Sequence, residues 1–99
     1  MKIESQVDGQ NIVLKIEGRI DTTTSTELQN EIMLAFQKGI YVILDFADVE
    51  YISSAGLRTL LIGQKTAMAK AGDLKIIHVA QIVRDVFDMT GFSKMLHIE

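Results

Sequence analysis

Apolar and polar residues alternate at the start of the chain. Ile3, Ser5 and Val7 alternate with polar neighbours, and Asp8-Gly9 supplies a turn. Ile12, Leu14 and Ile16 then alternate with Val13, Lys15 and Glu17. This period of two predicts a β-hairpin with one buried and one largely wet face. After Gly18-Arg19-Ile20-Asp21 the period changes. Thr22, Thr23, Thr24 and Ser25 are good helix-capping material, and Leu28, Ile32, Ala35 and Phe36 recur at helical spacing. Gly39 is expected to end this helix in the usual C′ position. Tyr41–Phe46 is apolar on both sides and rich in branched residues, which predicts a central strand covered on both faces.

Ser53-Ser54-Ala55-Gly56 opens a second helix marked by Leu57, Leu60, Leu61 and Met68 and closed by Gly72-Asp73. Leu74–Val79 reads as another buried strand. Ile82, Val83, Val86 and Phe87 give a short third helix ended by Gly91, and Leu96 and Ile98 suit a last edge strand. The predicted order is ββαβαβα with a possible final β. Strand–helix–strand alternation favours parallel pairing with right-handed crossovers. The expected fold is α/β: a small open mixed sheet, an initial hairpin and then parallel strands, with helices mainly on one face.

The chain has 99 residues, the size of one domain spanning 1–99. Cysteine is absent, which excludes a disulfide scaffold, a thiolate nucleophile and a cysteine zinc site. A net charge of -3 argues against a nucleic-acid partner. The start of the chain lacks the apolar stretch of a signal peptide, and Ile40–Leu44 is too short to cross a bilayer. These features lead us to expect a soluble cytoplasmic protein with no membrane partner. His78 and His97 have no metal-ligand spacing. There is no glycine-rich phosphate loop, and no cofactor or metal is expected. A receiver domain phosphorylated on Asp45 would need paired acids after the first strand and a late lysine at a strand end. Glu4 stands alone there, and the late strand ends in His78-Val79-Ala80.

The carboxyl ends of parallel strands gather on one edge, where sites concentrate. On this reading Asp21 follows the second strand, Asp45 ends the third, and Ser53 and Ser54 open the next helix. Two acids and several hydroxyls are therefore expected close together, with Asp48 near them. Each has a plain structural reading too: a serine before a helix serves as a cap, and an aspartate at a strand end completes a turn. Ser53-Ser54-Ala55-Gly56 is unusual as a simple helix start. Glycine costs about 1 kcal/mol relative to alanine in a helix, and the small residues leave the backbone open to close approach.

Val42-Ile43-Leu44-Asp45-Phe46, followed by Val49-Glu50-Tyr51-Ile52-Ser53-Ser54-Ala55-Gly56-Leu57, closely resembles the STAS domain family, in particular its bacterial anti-sigma factor antagonists. Ile16-Glu17-Gly18-Arg19-Ile20-Asp21 is similar to the family's earlier signature. The resemblance covers essentially the whole chain and is most specific over 41–62. It implies a phosphoacceptor serine in an Asp-Ser-Ser/Thr-Gly-Leu motif. Alignment on Gly56-Leu57 puts that serine at Ser54, with Ser53 in place of the aspartate and Ala55 in place of the next hydroxyl residue. Ser53 is a rival acceptor by proximity.

The resemblance further implies a partner switch without catalysis by this chain. The unphosphorylated protein would bind an anti-sigma factor serine kinase and free a sigma factor, phosphorylation would release it, and a PP2C-type phosphatase would reset it. The implied partner surface comprises Asp21, Thr22, Thr23, Asp45, Ser53, Ala55, Gly56, Arg58 and Thr59, with Arg58 and Thr59 directed outward and Leu57, Leu60 and Leu61 in the core. A STAS module can instead act as a non-switching scaffold in a transporter-linked or stress-sensing assembly, and the serine at 53 keeps that alternative open.

Overall fold

Five strands and three α-helices follow one another in the expected order in the computed structural model, which describes residues 1–99. Strands β1 (Lys2–Asp8) and β2 (Asn11–Ile20) form the antiparallel hairpin. Helix α1 (Ser25–Lys38) leads to β3 (Tyr41–Ile52), α2 (Ser54–Ala69) to β4 (Asp73–Ile77), and α3 (Gln81–Thr90) with a short 3-10 turn to β5 (His97–Ile98). The sheet order is β1-β2-β3-β4-β5, and every pair after the hairpin is parallel.

This sequential order dictates the layering. Right-handed crossovers that all advance in one direction across a sheet must all lie on the same face. The covered face carries Ile12, Leu14, Ile16 and Ile20 of β2, Val42, Leu44, Phe46, Val49 and Ile52 of β3, and Leu74 and Ile76 of β4. With Leu28, Ile32, Ala35 and Phe36 of α1, Leu57, Leu60 and Ala67 of α2, Val83 and Phe87 of α3, and Leu96, they form one cluster of 21 buried residues.

Four expectations need correction. The strand at 41 is not covered on both faces: Val42 and Leu44 are buried, but Tyr41 is exposed and Ile43 and Asp45 are half-buried on the side without helices. It is also longer than expected, running to Ile52 rather than ending at Phe46. Gly39 is extended (φ -164°), not left-handed; a β-carbon there would lie 2.5 Å from the Gln10 carbonyl oxygen, so close approach of the hairpin turn requires glycine. In α2, Leu61 is only half-buried and lies outside the core that holds Leu57 and Leu60.

Candidate functional site

The last residues of β2 and β3, Ile20 and Ile52, pair in register, and the chain leaves the sheet from both at the same edge. The Ser53 amide donates to the Ile20 carbonyl at 2.8 Å, which fixes the start of α2 against the end of β2. Ser53 is the N-cap of α2: its backbone is extended, and its hydroxyl accepts from the Gly56 amide at 3.2 Å. Ser54, the first helical residue, is exposed. A β-carbon on Gly56 would stand 2.7 Å from Ile20 Cγ2 and from Ile52 Cγ1, so its lack of a side chain lets this turn sit directly on the sheet.

Asp21 closes the neighbouring corner. Its Oδ1 accepts from the amides of Thr23 (3.0 Å) and Thr24 (2.9 Å), while its own amide donates to Thr24 Oγ1 at 2.9 Å. The Thr24 amide is the main cause that holds the Asp21 carboxyl below the usual aspartate range, with the Thr24 hydroxyl, the Thr23 amide and the charge of Arg19 adding to it against partial desolvation. Asp21 thus has the turn-forming role that its residue type favours, and Thr22 and Thr23 are left exposed beside it.

Asp21, Thr22, Thr23, Ser53, Ser54 and Ala55 come together as expected, and Arg58 is exposed one helical turn beyond Ser54. Thr59 does not face outward. It is 4% exposed, packed between the helices, and its hydroxyl donates to the Ser25 carbonyl at 3.4 Å. Gly56 is likewise buried.

Asp45 is not at this edge. It lies within β3, paired with Lys15 and Ile77, seven residues before the strand ends. At the rise of a strand, that is roughly 25 Å from Ser53, in a molecule whose longest extent is 33 Å. Its Oδ1 accepts from the Ala47 amide at 3.0 Å and lies 3.1 Å from His78 Nδ1. Partial burial pushes its carboxyl up, but the Ala47 amide, His78 and Lys15 together outweigh this and keep it below the usual range. Asp48 is distant for the same reason and lies 4.0 Å from Lys15 Nζ.

Two residues at the edge were not singled out from the sequence. Arg19 and Tyr51 pair across β2 and β3, and the guanidinium sits 4.1 Å from the ring centroid on the face without helices. Each lies two residues before a recognised one, Asp21 and Ser53, and only the strand register reveals that they touch.

Comparison with known proteins places this geometry in a class. The STAS domain family model matches residues 2–99. The chain belongs to the STAS domain family. It is 32% identical over 94 residues to a candidate anti-sigma factor antagonist, BtrV, of Bordetella bronchiseptica, covering 94% of this chain and 80% of that protein. It is 26% identical to an anti-sigma-B factor antagonist of Staphylococcus epidermidis, covering 99% of this chain and 92% of that one. Among solved structures, the Bacillus cell fate determinant SpoIIAA in its phosphorylated form superposes with a TM-score of 0.76 at 20% identity, over 99% of this chain and 91% of that one.

Proposed function

We propose that this chain is an anti-sigma factor antagonist, a binding protein rather than a catalyst. It binds an anti-sigma factor serine kinase through the Ser54 edge and the open side of α2, and a sigma factor is thereby freed. Phosphorylation of Ser54 by that kinase ends the interaction, and a PP2C-type phosphatase restores it. The observation that carries this reading is the division of labour between adjacent serines: Ser53 spends its hydroxyl on the helix cap, whereas Ser54 stands exposed at the first turn. That favours Ser54 over Ser53 as acceptor.

The outward positions of α2 after Ser54 are Arg58, half-buried Leu61, Lys65 and Met68, and the helix contains no carboxylate. This surface suits an acidic partner even though the protein as a whole is acidic. A phosphoryl group adds roughly -1.5 to -2 charges at neutral pH. With Asp45 and Asp48 remote, the repulsion falls on Asp21 and on the acidic partner surface. A loss of about 3 kcal/mol lowers affinity more than a hundredfold, and no refolding is needed.

The test is incubation with the cognate kinase and ATP, with site mapping by mass spectrometry and a binding titration. Ser54→Ala should bind as wild type and take no phosphate. Ser54→Asp should bind at least tenfold more weakly. Wild-type affinity in Ser54→Asp would remove the charge argument, and a wild-type chain left unmodified by its bound kinase would support the scaffold role instead.

A further inference from the structure

β1 is an edge strand paired on one side only, and all of its residues except Ile3 are exposed. The hairpin closes on the Asp8–Asn11 pair around a two-residue turn. In such a hairpin the closing pair exchanges both backbone bonds, and bonded and open pairs alternate from there. Lys2, Glu4, Gln6 and Asp8 therefore bond to β2, and the N–H and C=O groups of Ile3, Ser5 and Val7 point away from the sheet. A row of unpaired backbone groups is a template for another strand.

Lys2-Ile3-Glu4-Ser5-Gln6-Val7-Asp8 is complementary to itself in reverse. We propose that β1 docks against β1 of a second copy of this chain, antiparallel about a two-fold axis through Ser5. This register overlaps all of β1 and joins its outward-facing groups, Ile3 to the partner's Val7 and Ser5 to the partner's Ser5. On the face without helices, Lys2 meets the partner's Asp8 and Glu4 meets the partner's Gln6. On the helix side, Ile3 meets Val7 of the partner subunit, and Val7 is 53% exposed in one copy alone. Slipping by two residues either way sets Glu4 against the partner's Glu4 or against the partner's Asp8, like charges directly opposed. The strand thus favours one register and disfavours its neighbours. Lys2 Nζ lies 3.2 Å from Glu4 within one copy, so in the pair it stands between Glu4 and the partner's Asp8. The contact is isologous and closed, which limits assembly at this edge to a dimer.

A seven-residue edge is a small interface, so the association is weak and sensitive to salt. Sedimentation equilibrium at low salt, from roughly 10 μM to 1 mM protein, should show a reversible monomer–dimer equilibrium. Over the same range, amide exchange at Ile3, Ser5 and Val7 should slow, while Glu4 and Gln6 stay constant. Ser5→Pro removes only an outward N–H, which an edge strand tolerates, and should weaken dimerisation at least about tenfold. Lys2→Asp and Asp8→Lys should each weaken it by up to about fivefold per lost pair. An equimolar mixture of those two variants should restore it, and this arm decides the matter if Ser5→Pro disturbs the fold. A chain monomeric at every concentration would overturn the proposal, as would a dimer indifferent to Ser5→Pro and to the charge-exchanged mixture. Neither measurement involves Ser54, so failure here leaves the proposed function untouched.

Discussion

Ser53 and Ser54 are chemically alike and one peptide bond apart, yet they face different constraints. Ser53 satisfies one of the amides that the first turn of α2 cannot satisfy internally. Ser53→Ala should therefore destabilise the protein by about 1 kcal/mol, seen as a lower urea midpoint at unchanged m-value. Ser53→Asp keeps a capping oxygen and adds a negative charge at the positive end of the helix, so it should restore or exceed wild-type stability. An unchanged midpoint in Ser53→Ala would mean that the 3.2 Å bond contributes nothing to stability. The capping role of the Ser53-Ser54 pair was legible from residue type. Which serine caps was not, because the choice depends on where β3 ends. Thr59 was misread at the same scale. A hydroxyl on a helix looks solvent-facing in a sequence, but here it is buried against α1 and satisfied by the Ser25 carbonyl.

At the scale of elements, β3 shows how far hydrophobic alternation defines a strand and where it stops doing so. Its buried positions are Val42, Leu44 and Phe46, then Val49, then Ile52. The period of two breaks after Phe46, where the β2–β3 register shifts between Lys15 and Glu17 and again between Gly18 and Arg19. A pattern search stops at the first break, so Asp45 looked like a strand end. Alternation in the hairpin and helical spacing in α1 and α3 contain no such break, and those elements were legible. The extension shapes the candidate site, because it carries Ile52 up to Ile20 and lets Gly56 rest on both. Gly56→Ala would gain up to about 1 kcal/mol in helix propensity but force a methyl into two buried isoleucines at 2.7 Å. Overpacking of this kind costs typically about 1–3 kcal/mol, and both isoleucines are held in the core, so net destabilisation of about 1 kcal/mol is expected. Thermal unfolding should show a lower Tm, and a Tm equal to or above wild type would mean that α2 can lift off the sheet without cost.

Across the whole molecule, the two depressed carboxylates sit at separate places, Asp21 at the edge beside α2 and Asp45 on the sheet face that no helix covers. Both are more acidic in the folded chain than in the unfolded one. The unfolded chain therefore binds more protons as the pH drops through the ordinary aspartate value of about 3.9, and stability falls with it. Their contribution is complete above that value, shrinks as the pH falls toward the folded-state values, and is gone below them. Asp45→Asn isolates one share of this loss, since it removes the charge facing His78 and Lys15 but keeps an oxygen for the Ala47 amide. At pH 7 the variant should be less stable by about 0.2–1 kcal/mol, the range for ion pairs open to solvent. The gap should close as the pH falls below about 4, and chemical denaturation at a series of pH values measures it. Parallel stability curves for wild type and variant down to pH 2 would mean that Asp45 has no favourable charge interaction in the fold. Binding to the proposed partner kinase at neutral pH provides the complementary readout. Because Asp45 lies roughly 25 Å along β3 from Ser53, Asp45→Asn should leave that affinity unchanged, which separates the stability of the open sheet face from the recognition proposed for the Ser54 edge.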